Sequence, residues 1–249
     1  MIPYINVFSG YISTFGLCIT IGILTMLIVI HLFLSKSANR EKEESFIFPK
    51  IVISGTVGFF CAGFSDSLFK IKISGEFRIA GINFYGGLIG SIICLFVLLK
   101  CTKQNTQYAI NEWYNLMTIP LVSFHFFGRI GCFLGGCCYG KNTNSVIGIL
   151  FPDIPEHDIF HYGIKCYPTQ LFEAAVLIII FFVILFVNKK FEIYLLMYSV
   201  SRFLIEFFRG DNRGYIIEIL SPAQLISVII FFIVIFHMLY KRKNLYAIV

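Results

Sequence analysis

Charge is what this chain of 249 residues has least of: 14% of it is Asp, Glu, Lys or Arg, where a soluble domain carries about 25%. That shortage excludes an ordinary water-facing surface. Basic residues interleaved with aromatics are missing as well, so the net charge of +6 concerns membrane topology and anionic lipid, with no nucleic acid implied. The opening stretch "MIPYINVFSGYIS" lacks the basic region of a secretory signal, and no small-residue cleavage site follows. The first apolar run is therefore expected to be a retained span. Strict apolar–polar alternation is absent, which excludes a transmembrane β-barrel. No internal repeat is visible, which weighs against a transporter.

Apolar sequence is what the chain has in quantity, at 57%, with 29 phenylalanines. The expected fold is an all-α integral membrane protein of about seven transmembrane helices, residues 1–249 forming a single polytopic domain. The spans are expected at about 11–35, 48–69, 83–100, 109–130, 168–188, 191–208 and 222–240, the fourth broken near Pro120. A charged hinge, "KSANREKEES", separates the first two. Residues 138–167, with Pro152, Pro155, His157, Asp158 and His161, are expected to form a small extracytoplasmic cap. Orientation follows from Lys and Arg beside the span ends. Lys36, Arg40, Lys42, Lys100, Lys103, Lys189, Lys190, Lys241, Arg242 and Lys243 fall on one side. Lys70, Lys72, Arg78, Lys141, Lys165, Arg209 and Arg213 fall on the other. The bias places the N-terminus outside and the C-terminus in the cytoplasm.

A charge at membrane depth costs several kcal/mol, so Asp66, Arg129, Arg202 and Glu206 are the informative residues. In "YSVSRFLIEFFR", Tyr198, Arg202 and Glu206 recur every four residues and share a helical face. One reading is an internal ion pair that fixes helix packing. The other is an anion site, with Glu206 orienting Arg202 toward a phosphate that its planar fork grips bidentately. His125 and Arg129, also four apart, share a face in "FHFFGRIG". Glycines at 128, 131, 135 and 136 would let backbone approach a ligand. In "NFYGGLIG", Gly86 and Gly87 are either helix-packing residues or part of a lipid site with Asn83 and Tyr85. Two arginines beside a glycine-rich loop suggest a phosphate-bearing amphiphile, which in a bilayer is a phospholipid.

Eight cysteines remain to be placed. Cys18, Cys61 and Cys94 lie inside apolar runs and Cys101 just past one, as small packing residues do. Cys132, Cys137, Cys138 and Cys166 cluster near loop sequence. They are read as disulfides between cap and glycine loop, as packing, or as a covalent or metal role. The C-x4-C-C spacing lacks the paired C-x-x-C ligands of a structural zinc site.

"NFYGGLIG", "GRIGCFLGG", "YPTQLFEA", "YSVSRFLIEFFR" and "SPAQLIS", in this order from about residue 81 to 230, resemble prolipoprotein diacylglyceryl transferases. The resemblance implies a seven-span bundle with an extracytoplasmic head in the bacterial plasma membrane. It implies transfer of diacylglycerol from phosphatidylglycerol to the lipobox cysteine of a prolipoprotein signal peptide, with glycerol phosphate leaving and no cofactor or metal. The signature arginine falls on Arg129, the sixth-span trio on Tyr198, Arg202 and Glu206, and "HPSQLYE" on "YPTQLFE" with Gln170 and Glu173. The departures lie at the reacting centre. The family's usual histidine is Tyr85 here, "GRIGNFINGE" is "GRIGCFLGGC" with Cys132 and Cys137, and a first-span tyrosine is Phe15. His125 is the expected base, with Tyr85 as its partner. Two other readings stay open: a membrane lipid-headgroup or acyl transferase with another acceptor, and a non-enzymatic phospholipid-binding protein.

Overall fold

An antiparallel strand pair, β1 (Tyr4–Val7) and β2 (Gly10–Ser13), opens the chain, in register from Tyr4↔Ser13 to Val7↔Gly10. Helices α1 (Thr14–Leu34), α2 (Arg40–Ser74), α3 (Phe84–Cys101) and α4 (Ile110–Leu134) follow. Two short strands, β3 (Ile149–Phe151) and β4 (Ile164–Cys166), pair antiparallel. Helices α5 (Thr169–Leu185), α6 (Lys190–Glu206) and α7 (Pro222–Tyr246) complete the order. The structure, a computed structural model, describes residues 2–7, 10–74, 84–102, 110–151, 163–210 and 220–246. The polar connection expected at 70–82 is helical to Ser74; its remainder, Asn83, the proline- and histidine-bearing part of the cap and Arg213 lie outside the described residues.

The protein is an all-α multi-pass membrane protein. Five helices, α1, α2 to Ser65, α3, α4 and α7 to Lys241, are long and apolar enough to cross a bilayer. Helix α5 is as apolar but has 17 residues, and α6 carries Lys190, Glu192, Arg202 and Glu206 along its length. Three boundaries differ from the sequence expectation. Residues 11–13 are strand rather than the start of the first span. The charged hinge is helical from Arg40 onward, since Glu41 and Glu43 sit in the first turn of α2, where carboxylates offset the helix dipole. Helix α4 runs unbroken through Pro120 to Leu134, as transmembrane helices permit when neighbours cover the lost hydrogen bond.

By contact, the chain forms two compact units. The first comprises residues 1–29, 117–212 and 227–249; the second comprises 30–116 and 213–226. In the first unit, α5 packs along α6. The buried stripe of α5 is Thr169, Gln170, Glu173, Ala174, Leu177, Ile180 and Ile184, the three-and-four spacing of one helical face. Its lower part is aliphatic core and its first turn is polar. Helix α6 buries Tyr194, Tyr198, Arg202 and Ile205 in the same way. The end of the first unit's cap is tied down tightly. Gly140 donates to the Tyr167 carbonyl and Lys141 to the Phe208 carbonyl. A methyl group on Gly140 would sit 2.5 Å from the Phe208 carbonyl oxygen, so only glycine fits this approach.

In the second unit, α2 lies along α3, and small residues set the distance. A methyl group on Gly86 would meet Ser65 Oγ at 1.9 Å, and one on Gly87 would meet Ala62 Cβ at 3.2 Å. The two glycines expected against substrate therefore face a helix instead, in small-residue packing. Tyr85 is buried beside them at the start of α3. Trp113 is fully buried, with Phe46 5.9 Å from it centroid to centroid.

Candidate active site

The polar centre of the first unit is built on three helices. Helix α4 supplies Arg129 near its C-terminus, the first turns of α5 supply Gln170 and Glu173, and α6 supplies Tyr198, Arg202 and Glu206. Glu173, 1% exposed, is the hub. Its Oε2 lies 2.9 Å from Arg129 Nε, and its Oε1 lies 3.4 Å from Arg202 Nη1 and 3.5 Å from Arg209 Nη1. Arg202 Nη2 also pairs with Glu206 Oε2 at 2.6 Å, and Arg209 Nε stands 3.8 Å from that oxygen. Three guanidiniums and two carboxylates leave a formal charge of +1 in a buried setting. An excess of positive charge held out of water attracts an anion.

Tyr198 closes the cluster on one side. Its hydroxyl donates to Glu173 Oε2 at 3.2 Å and accepts from Arg129 Nη2 at 3.4 Å. His125 lies behind it: the imidazole meets the Tyr198 ring edge-on at 4.8 Å, and its Nδ1 is 3.3 Å from the Tyr194 hydroxyl. The expected sharing of a face by His125 and Arg129 is seen, but His125 is 3% exposed and packed among rings. On the other side, Gln170 Nε2 donates to the Cys137 carbonyl and Thr169 Oγ1 to the Cys138 carbonyl at 2.8 Å. Gln170 Oε1 is buried with no hydrogen-bond partner among the described residues, an acceptor whose donor those residues do not supply.

Those two carbonyls belong to a turn that ends α4. Gly135, Gly136 and Cys137 donate back to the carbonyls of Gly131, Phe133 and Cys132. Gly136 and Cys138 have φ of 72° and 65°, the left-handed conformation that terminates helices. The reversal brings the sulfurs of Cys132, Cys137 and Cys138 within 4.8 Å of one another. None of the eight cysteines is bridged in a disulfide. Cys166 is not in this group; its thiol donates to Asn142 Oδ1 at 3.4 Å in the strand pair, so a bridge from cap to glycine loop is not formed. Hydrogen bonding to Cys132 and Cys138 holds the Cys137 thiol well above the ordinary thiol range.

The glycines of the loop are not all backbone access to a ligand. Gly131 faces Phe15 and Cys18 of α1, where a methyl group would come within 3.2 Å and 3.0 Å. Phe15 is thus a packing partner of the Gly131 segment. Arg209 is the residue that the sequence reading missed, having been counted as loop charge. The signal was the spacing: it lies three residues past Glu206 and continues the face of Arg202 and Glu206. Tyr85, Gly86 and Gly87 belong to the second unit.

Comparison with known proteins identifies the family. A family-wide sequence profile, prolipoprotein diacylglyceryl transferase, matches residues 4–240. A phosphatidylglycerol–prolipoprotein diacylglyceryl transferase of Clostridium tetani is 31% identical, over 93% of this chain and 94% of its own. A second such enzyme, from Clostridium perfringens, is 31% identical over 90% and 89%. One from Campylobacter curvus is 32% identical over 69% and 62%. With the match spanning nearly the whole sequence, the chain belongs to the prolipoprotein diacylglyceryl transferase family.

Proposed function

We propose that this protein transfers the diacylglyceryl group of phosphatidylglycerol to the lipobox cysteine of a prolipoprotein signal peptide, on the outer side of a bacterial plasma membrane. The observation that carries the reading is the buried cluster of Arg129, Arg202 and Arg209 around Glu173. The acceptor sulfur attacks the glyceryl carbon that bears the phosphodiester oxygen. A carbon–sulfur bond forms, the carbon–oxygen bond breaks, and glycerol phosphate leaves with the electron pair while the thiol proton passes to solvent. Charge therefore grows on a phosphate oxygen in the transition state, and preorganised guanidiniums outside bulk water stabilise it most. Arg129 and Arg202 grip the phosphate, Glu206 orients Arg202, and Gln170 Oε1 accepts from a headgroup hydroxyl. Tyr198 positions Arg129, and His125 positions Tyr198.

The relatives' names supply the donor and the acceptor class. One observation favours a second reading, a different acceptor on the same scaffold: the turn after Arg129 carries three thiols, Cys132, Cys137 and Cys138, gathered beside the arginine cluster. The test is purified full-length protein with phosphatidylglycerol and a lipobox peptide, followed by mass spectrometry. The peptide should gain one diacylglyceryl group and glycerol phosphate should appear. Glycerol phosphate without a modified peptide would favour another acceptor, and neither product would leave only lipid binding.

A further inference from the structure

Three thiols converge where the transferase reading needs a thiol activated. Cys132 and Arg129 are three residues apart on α4, and Cys132 and Cys138 both lie within electrostatic reach of the Arg129 guanidinium. The turn that gathers the sulfurs is fixed at both carbonyls by Thr169 and Gln170, in the same first turns of α5 that carry Glu173. The thiol cluster and the arginine cluster therefore share one frame. Cys137 is exposed, whereas Cys132 and Cys138 are half-buried, so the triangle of sulfurs has an open side.

Catalytic zinc takes three protein ligands and keeps its fourth position for substrate. Zinc–sulfur bonds of about 2.3 Å in a tetrahedron put the sulfurs about 3.8 Å apart, close to the separations of up to 4.8 Å found here. The absence of paired C-x-x-C spacing argues against a closed structural site, which needs four ligands, and has no bearing on an open one. We propose that Cys132, Cys137 and Cys138 hold a zinc ion as thiolates and that the acceptor thiol of the prolipoprotein takes the fourth position. This rests on the transferase reading. Zinc deprotonates a coordinated thiol outright, and the proton goes to solvent. The zinc-bound sulfur then attacks the glyceryl carbon, the carbon–oxygen bond breaks, and its electron pair leaves on glycerol phosphate. The product thioether is neutral, binds zinc weakly and departs; the metal's oxidation state does not change. Three thiolates and one divalent cation carry a formal charge of −1, which the neighbouring arginine cluster of +1 offsets.

The experiment uses full-length protein purified in detergent under reducing conditions, with metal content measured by elemental mass spectrometry. About one zinc per chain is expected, lost from the Cys132→Ser and Cys138→Ser variants. Because a variant can misfold, the parent is also stripped with a chelator and reloaded. Stripping should lower transfer to a lipobox peptide about 10²-fold, and zinc should restore it. Cobalt in place of zinc should show a thiolate charge-transfer band that changes with a cysteine-containing lipobox peptide and not with its serine analogue. Protein that neither carries nor takes up zinc overturns the proposal. So does copper or iron in its place, or an intact mass short of two hydrogens from a disulfide. Transfer indifferent to stripping refutes the zinc site alone. Zinc bound at these cysteines with no transfer to the peptide refutes the transferase reading instead.

Discussion

Glu173 holds three arginines, and its removal destabilises the fold. Glu173→Ala leaves three buried guanidiniums without their common partner, and a broken buried pair costs about 3–5 kcal/mol. Thermal unfolding in detergent should therefore show a clear drop in melting temperature. Arg129→Lys and Arg202→Lys keep the charge and lose the planar fork. Both should lose most transfer activity while remaining folded, and Arg129→Ala with parental activity would remove the phosphate site. His125 gives a sharper discrimination. General-base catalysis contributes about 10²–10⁴-fold, but His125 is packed against Tyr194 and Tyr198. As a positioning residue, His125→Ala should cost only about tenfold in turnover, matched by Tyr198→Phe; a loss of 10³-fold or more would restore it as the base. Arg129, Arg202 and Glu206 were legible because charge in an apolar run has few harmless explanations. Arg209 was not, because a residue just past a helix end reads as loop until its phase with Glu206 is checked.

At the scale of elements, most helices could be read from hydropathy, and the misreadings share one cause. Composition marks where a segment would enter lipid, whereas hydrogen bonding decides where a helix ends. Hence α2 begins at Arg40, ahead of its apolar stretch, and α4 continues past Pro120 to Leu134. The glycines show the same limit. "GGLIG" allowed both helix packing and lipid contact, and only the position of Ser65 and Ala62 opposite Gly86 and Gly87 separates them. Gly86→Val should therefore destabilise the α2–α3 pair, by about 1–3 kcal/mol as overpacking does, and reduce the yield of folded protein. An active, fully stable Gly86→Val protein would return this glycine to the lipid site. The three-thiol triangle was invisible in sequence, since C-x4-C-C becomes a cluster only through the left-handed turn at Gly136 and Cys138.

For the whole molecule, the charge bias of the connections predicts an orientation with the N-terminus outside, and that expectation is open to a direct measurement. Asn144, exposed in the cap, and Lys36, exposed after α1, should lie on opposite sides of the membrane. A membrane-impermeant thiol reagent on intact cells, read by peptide mapping, should label Asn144→Cys and spare Lys36→Cys. The opposite pattern would invert the topology and place the cap in the cytoplasm.

The arginine cluster is already occupied, by the protein's own carboxylate. On the proposed reading, lipid phosphate does not fall into an empty positive hole; it trades places with Glu173 as one anion for another. Such an exchange gives moderate affinity, and it works in both directions. When glycerol phosphate has formed, Glu173 is tethered a few ångströms away and competes for the same guanidiniums at high effective concentration, so the product is pushed out rather than waited for. An enzyme working on an abundant bilayer lipid has little need for tight capture and much need for rapid clearance.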